Sequence, residues 1–318
     1  AKFVGTTYTV GVASGTDALF LSLKAFDIGS GDEVITVSHT ATATVSAIEA
    51  TGAKAIFVDI EEEYFTMDVA QVEALITPRT KAIIPVHIYG HPCEMDTLVD
   101  IAKKHNLRLV EDCAQASGAK YKNRDVGSIG DIGCFSFFPT KNLGALGDGG
   151  AITTDSKVLH DKLMMLRQYG WDKARESQFQ GYNSRLDEIQ AAILRVKLKY
   201  LSQDIKKRNI VASWYDKYLQ ETNMVLPIVK KNSYHAYHLY VVKTQKRDEL
   251  IAFLKENGIN VLVHYAKAIH MQETYKIANA NLPVTQDILT NIVSLPMYPE
   301  MTKEDILYIV KIIKKFNI

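Results

Sequence analysis

The sequence predicts an α/β protein: a large domain over residues 1–186, built on a mostly parallel seven-stranded sheet sandwiched by helices, then a long connecting helix and a smaller α+β domain over residues 187–318. Three observations carry this reading. Short apolar runs alternate with amphipathic stretches, there are seven such runs before residue 155, and the apolar period changes near Asp187. Residues 8–13, 33–37, 53–58, 81–86 and 107–110 read as strands, and the helical patterns between most of them imply crossover connections and therefore parallel neighbours. Residues 133–138 and 149–154 extend the same sheet. Beyond it, Leu186, Ile189, Ala192, Ile193, Val196 and Tyr200 recur at helical spacing in a stretch that ends at the basic Lys206-Lys-Arg208. A strand over 238–242, a helix over 247–257, a strand over 261–264 and a closing helix from Thr302 complete the smaller domain.

With 318 residues, 47% of them apolar, the chain can bury a large core. Its 37 lysines and arginines nearly balance 36 aspartates and glutamates, and no basic run interleaves with aromatics, so the footprint of a nucleic-acid binder is missing. No stretch approaches the roughly 20 apolar residues of a spanning helix, and no secretory signal opens the chain, so no membrane partner and a cytoplasmic location are expected. Cys93, Cys113 and Cys134 are odd in number and far apart, which predicts core thiols. The chain runs almost at once into its first strand, so an N-terminal segment is expected to be missing.

Ligands of open parallel sheets gather outside the carboxyl ends of the strands. Three strand ends are candidates. Ser14-Gly15-Thr16-Asp17 follows the first strand and opens a helix, offering backbone N–H groups and a hydroxyl to a phosphate; the plain alternative is helix capping by Thr16 or Asp17. Asp112 ends the fifth apolar run as a turn residue, a metal ligand or the partner of a protonated ring nitrogen, the last being what pyridoxal 5′-phosphate needs to keep its ring able to accept electrons. Lys141 follows the aromatic run Cys134-Phe-Ser-Phe-Phe138 and precedes a glycine-rich turn. Among apolar groups a lysine loses basicity and can serve as nucleophile and general base. Ser136, earlier on that strand, could reach a phosphate. A nucleotide loop is the competing reading of the turn, although the Walker spacing is not there.

In these segments, and in Val86-His-Ile-Tyr-Gly90, Glu111-Asp-Cys-Ala-Gln-Ala116, Gly147-Asp-Gly-Gly150, Gly181-Tyr-Asn-Ser-Arg-Leu-Asp187 and Tyr237-His-Leu-Tyr240, nearly the whole chain resembles the nucleotide-sugar aminotransferases of the DegT/DnrJ/StrS type, within fold type I of the pyridoxal phosphate enzymes. The resemblance implies Lys141 as the cofactor-binding lysine and proton shuttle, Asp112 as the pyridinium partner, and Gln115 at the ring. It places Gly15, Thr16, the Asp17 amide and Ser136 at the phosphate, with Asn183 reaching the phosphate of a neighbouring subunit, so that a homodimer shares its sites. Some relatives with histidine in place of this lysine are dehydratases; Lys141 therefore argues for transamination. The implied reaction moves an amino group, with L-glutamate as donor, onto a keto group of a nucleotide-linked sugar, with C-3 of a dTDP-keto-deoxysugar as the expected position. Two departures stand out: Ala41 follows His39-Thr40 where relatives place a stacking aromatic, leaving His39 as the ring-stacking candidate, and Ala266-Lys-Ala-Ile269 replaces a proline-rich loop. They keep open a small phosphorylated ketone as substrate. A non-catalytic, cofactor-binding regulatory protein is the alternative outside enzymes.

Nine histidines raise the question of metal, but neither His87, His91, Cys93 and Glu94 nor His235 and His238 match a ligand spacing, so no metal is expected. His87 and Tyr89, after the fourth strand, and His264 and His270, flanking the altered loop, are candidate substrate contacts. Arg185 and Asp187 are expected to form a buried ion pair.

Overall fold

The computed structural model describes residues 1–276 and 280–316. Strand β1 (Tyr8–Val12) leads into helix α1 (Gly15–Ala25), then β2 (Glu33–Val37), α2 (Thr42–Ala50), β3 (Lys54–Val58), the single turn α3 (Val69–Val72), β4 (Thr80–Ile83), α4 (Met95–Lys104) and β5 (Arg108–Asp112). A small hairpin, β6 (Lys120–Tyr121) and β7 (Arg124–Asp125), precedes β8 (Ile132–Ser136), β9 (Gly150–Thr154), α5 (Lys157–Leu166) and the 32-residue α6 (Glu188–Leu219). The C-terminal part holds β10 (Ser233–Tyr234), β11 (Tyr240–Lys243), α7 (Arg247–Glu256), α8 (Pro283–Ile288), β12 (Ile292–Leu295) and α9 (Lys303–Lys315).

The seven-stranded sheet runs β1-β9-β8-β5-β4-β2-β3. Only β9 is reversed, pairing antiparallel with both β8 and β1, while β3, β2, β4, β5 and β8 run parallel to one another. The connections explain this: a parallel return needs a crossover, and between β8 and β9 the chain has a loop with no helix in it. That loop carries Lys141. Every residue of β2, β8 and β9 is buried, as expected of strands covered on both faces. Leu19, Leu23, Val45, Ile48, Leu163 and Leu166 from α1, α2 and α5 cover one face. On the other, Leu98 and Ile101 of α4 pack on Ile35, Ile83 and Leu109, and Leu194, Leu201 and Ile205 of α6 pack on Phe135, Phe137 and Leu143. Each such leucine or isoleucine contributes about 1.5–3 kcal/mol when fully buried.

Helix α6 has the expected period, but the expected apolar stripe is not the buried one. Ile189, Val196 and Tyr200 are 68%, 57% and 56% exposed, whereas Leu194, Leu201, Ile205, Val211, Tyr215 and Leu219 are buried. Arg185 and Asp187 are both exposed and no ion pair joins them among the described residues. A separate core around β11 and β12 gathers Tyr215, Tyr240, Leu250, Leu254, Ile306 and Ile313. The partner of β11 is β12, which the sequence reading passes over; residues 261–264 make only the single bridge Leu262–Ser294. All three cysteines are buried and free. No helix among the described residues is long and apolar enough to cross a membrane.

Candidate active site

Helix α1 begins beside the end of β8 and the start of β9. Its N-cap is Ser14, not Thr16 or Asp17: Ser14 Oγ accepts from the Asp17 amide at 3.0 Å, so that amide is not free for a ligand. The Asp17 carboxylate accepts from Ser184 Oγ at 2.5 Å, and Ser184 Oγ accepts from the Ala13 amide at 3.1 Å. What remains open in the first turn are the Gly15 and Thr16 N–H groups, which have no intrahelical acceptor, and the half-buried Thr16 hydroxyl. At the end of β8, Ser136 Oγ accepts from Phe138 N at 3.3 Å and keeps its own proton to donate. The approach is tight: a Cβ on Gly15 would lie 2.6 Å from Ser136 Cβ, and one on Gly150 would lie 2.3 Å from the Ser14 carbonyl oxygen. Only glycine permits it. Amides and a hydroxyl converging on a helix N-terminus form an anion site.

Next to it, β5 delivers Asp112 opposite Cys134 of β8, two residues before Ser136. Asp112 is 4% exposed; its Oδ2 accepts from Thr44 Oγ1 at 2.8 Å and its Oδ1 from Ala114 N at 3.1 Å. Burial raises its pKa, against the pull of those two donors and of Lys141. Lys141 is half-buried, and its Nζ has no hydrogen-bond partner among the described residues. Burial lowers its pKa, with Asp112 opposing. The loop is held by Lys141 N donating to Phe138 O at 2.9 Å and by Asn142 Nδ2 donating to Ala236 O at 3.0 Å.

Gln115 lies beside these groups, its Oε1 accepting from Tyr89 N at 2.6 Å and its Nε2 donating to Tyr265 Oη at 2.9 Å. Tyr89 Oη donates to the His264 carbonyl, so at 2.5 Å it accepts from His39 Nε2, which fixes the proton on that nitrogen. His39 is fully buried, edge-on to Tyr89 and Tyr265 at ring centroid distances of 5.8 and 6.2 Å. It therefore has no open face for ring stacking, which corrects that expectation. Burial lowers its pKa to about 3.

The remaining candidates divide. His264 is half-buried, its Nδ1 2.9 Å from Ser294 Oγ, and both burial and Lys141 lower its pKa. His270 is buried and tied to Ser38, whose Oγ lies 2.7 Å from Nδ1, so it anchors the loop after His264 to the end of β2. His87 is fully buried: Nδ1 accepts from Cys93 N at 3.0 Å, and Nε2 lies 3.1 Å from Glu111 Oε2. Asn183 is exposed, next to Ser184 and so beside the α1 turn. His87, Glu111 and Cys113 hold their possible ligand atoms within 4.8 Å of one another. Glu111, however, also accepts from the Gly127, Ile129 and Gly130 amides, and burial pushes the Cys113 thiol up to about 12, far from the thiolate a metal takes. Sequence reasoning missed Thr44, inside a helix, and Tyr265, 150 residues from Gln115.

The carboxyl end of the sheet thus offers an anion site, a buried carboxylate and an unpaired amine of lowered basicity, which fits a phosphate, a ring nitrogen and a carbonyl of a single cofactor. A family-wide sequence model, the DegT/DnrJ/EryC1/StrS aminotransferase family, matches residues 1–314. The chain is 43% identical over 316 residues to a UDP-N-acetyl-3-dehydro-alpha-D-glucosamine 3-aminotransferase of Acidithiobacillus ferrooxidans, covering 99% of this chain and 86% of that protein. It is 44% identical to the dTDP-3-amino-3,6-dideoxy-alpha-D-galactopyranose transaminase of Aneurinibacillus thermoaerophilus, covering 100% and 88%. The crystal structure of DesV from S. venezuelae in complex with a ketimine intermediate superposes with a TM-score of 0.97 at 40% identity, covering 100% of this chain and 86% of that one. Other similar structures were solved in pyridoxal phosphate and pyridoxamine phosphate forms. The chain belongs to the DegT/DnrJ/EryC1/StrS aminotransferase family, and its cofactor is pyridoxal 5′-phosphate.

Proposed function

We propose that this enzyme aminates the C-3 keto group of a nucleotide-linked sugar, taking the nitrogen from L-glutamate. The observation that carries it is the unpaired Lys141 amine beside buried Asp112 at the carboxyl end of the sheet. The two relatives named above act on 3-keto or 3-amino nucleotide sugars, one UDP-linked and one dTDP-linked, which supports C-3 and leaves both nucleotides in play. Bound here, the cofactor supplies a carbonyl to carry nitrogen and a ring to accept electrons from the substrate carbon. The protein's part is positional and protonic. Gly15, Thr16 and Ser136 bind the phosphate, Asp112 holds the ring nitrogen protonated, and Gln115 borders the ring. Lys141 Nζ binds the cofactor and then carries the proton between carbon atoms, for which lowered basicity suits it.

A homodimer is part of the same proposal, with Asn183 reaching the phosphate of the partner subunit. The exposed Ile189, Val196 and Tyr200 give α6 an apolar stripe for a second copy. The division at residues 186 and 187 keeps the phosphate turn, Asp112 and Lys141 in the first part. Three free, buried thiols suit the cytoplasm.

The visible spectrum of the protein with pyridoxal phosphate tests this reading. The band of the lysine-bound cofactor should give way to that of the aminated cofactor on adding L-glutamate, and Lys141→Ala should lose the band and at least about 10³-fold in amination rate. A band indifferent to every amino acid would leave the fold recognised and the reaction wrong.

A further inference from the structure

Thr44 lies on α2, a helix no part of the reaction has yet touched, yet its hydroxyl reaches across to the sheet. Thr44 Oγ1 donates to Asp112 Oδ2 at 2.8 Å, and Thr40 Oγ1 lies 2.9 Å from Thr44 Oγ1. Thr40 and Thr44 are 2% and 0% exposed. A hydroxyl has one proton. Since that of Thr44 goes to Asp112, the proton between the two threonines is donated by Thr40, and the chain runs in one direction, Thr40 to Thr44 to carboxylate. Donors aligned this way polarise one another and strengthen the last bond.

We propose that Thr44, backed by Thr40, is a positioning residue for the reaction: it holds the Asp112 carboxylate in one orientation and in its charged form, so that the cofactor ring nitrogen stays protonated. This rests on the reading of Asp112 as partner of that nitrogen. Asp112 is buried and needs help to remain ionised. The titratable groups facing it are Lys141 from the loop after β8, His87 from the segment after β4, Cys134 on β8, Tyr265, and its own neighbour Cys113. None of them is hydrogen-bonded to either carboxylate oxygen among the described residues. Once its nitrogen is bound to the cofactor carbonyl, Lys141 no longer has an ammonium group to offer Asp112, which leaves the Ala114 amide and the Thr44 hydroxyl as the donors that persist through the cycle. The amide belongs to the backbone and is the same for any side chain. The hydroxyl is the element that the sequence at residue 44 decides.

The experiment is a pH titration of the visible absorption of the cofactor-loaded enzyme and of Thr44→Val, Thr44→Ser, Thr40→Val and Asp112→Asn, with cofactor dissociation measured by dialysis. A ring that loses its positive charge withdraws less electron density from the Lys141 nitrogen, so the titration midpoint rises. Thr44→Val should raise it by about one pH unit, the scale of one hydrogen bond to a charged group, and Thr40→Val by less. Thr44→Ser, which keeps the hydroxyl, should restore the wild-type midpoint; a loss caused by packing alone would not be rescued in the midpoint. If Asp112→Asn shifts the midpoint and Thr44→Val does not, the role of Thr44 is overturned. If Asp112→Asn leaves the midpoint unmoved, it is the reading of Asp112 that fails, and a Thr44→Val shift in its absence would overturn the link between the two. Should Thr44→Val not fold, an unchanged midpoint in Thr40→Val together with a shifted one in Thr44→Ser overturns the proposal.

Discussion

Glu111 and Asp112 are consecutive residues of one strand, both buried, and they point to opposite faces of the sheet. Glu111 is met by four donors: the His87 ring and the amides of Gly127, Ile129 and Gly130. Asp112 is met by two. Burial alone would raise the pKa of both. At Glu111 the His87 ring and the Gly127 and Gly130 amides reverse that and hold the carboxyl below its ordinary range; at Asp112 the Ala114 amide, the Thr44 hydroxyl and Lys141 pull the same way without outweighing burial, and the carboxyl lies above it. A saturated buried carboxylate is a structural anchor. An under-satisfied one facing a free lysine keeps bonding capacity for a ligand.

The sharpest way to break this contrast is to neutralise each residue. Asp112→Asn should lower amination about 10²–10³-fold, the scale of losing one preorganised electrostatic partner, with little effect on unfolding of the cofactor-free protein. An unfolding loss as large as that of its neighbour would erase the distinction. Glu111→Gln puts an amide NH₂ among backbone N–H donors and should destabilise the fold by about 3 kcal/mol in denaturant, while the rate per folded molecule stays within about twofold. A rate collapse at unchanged stability would make Glu111 a site residue.

Acid gives a finer comparison. A carboxyl depressed in the folded state adds stability that is complete above about pH 4.3, the ordinary glutamate value, and is lost as pH falls through the folded value. Glu111 behaves so. Asp112, raised in the folded state, works in reverse: its burial costs stability once pH climbs above about 3.9 and through the folded value. Glu111→Gln should therefore flatten the acid-side fall in stability and Asp112→Asn should steepen it slightly, by urea unfolding between about pH 3 and 6. Equal slopes in both variants would show that the two carboxylates titrate alike.

Much of this was legible in advance, for physical reasons that also mark where legibility stops. The seven sheet strands announce themselves because strands buried on both faces must be nearly continuous apolar runs. Asp112 and Lys141 stand out because strand ends are where a parallel sheet exposes function, and neither residue type belongs there by default. Strand β12 was missed in favour of residues 261–264, both short and β-branched; which of them pairs fully with a neighbour is decided by tertiary contacts, not propensity. His39 had the right address but the wrong surroundings, since sequence does not disclose that Tyr89 and Tyr265 enclose it. Thr44 carries no signal at all, because a threonine within a helix looks the same whether its hydroxyl meets its own backbone or a carboxylate on the sheet.

The Glu111 anchor has a kinetic side. The three amides it binds belong to residues 127–130, a bend with no regular secondary structure, where proton exchange with solvent would ordinarily take place through small local openings. Here an opening would strand a buried carboxylate, so those N–H groups should exchange as slowly as the β5 amides, and a deuterium-uptake map would draw this irregular bend as part of the sheet.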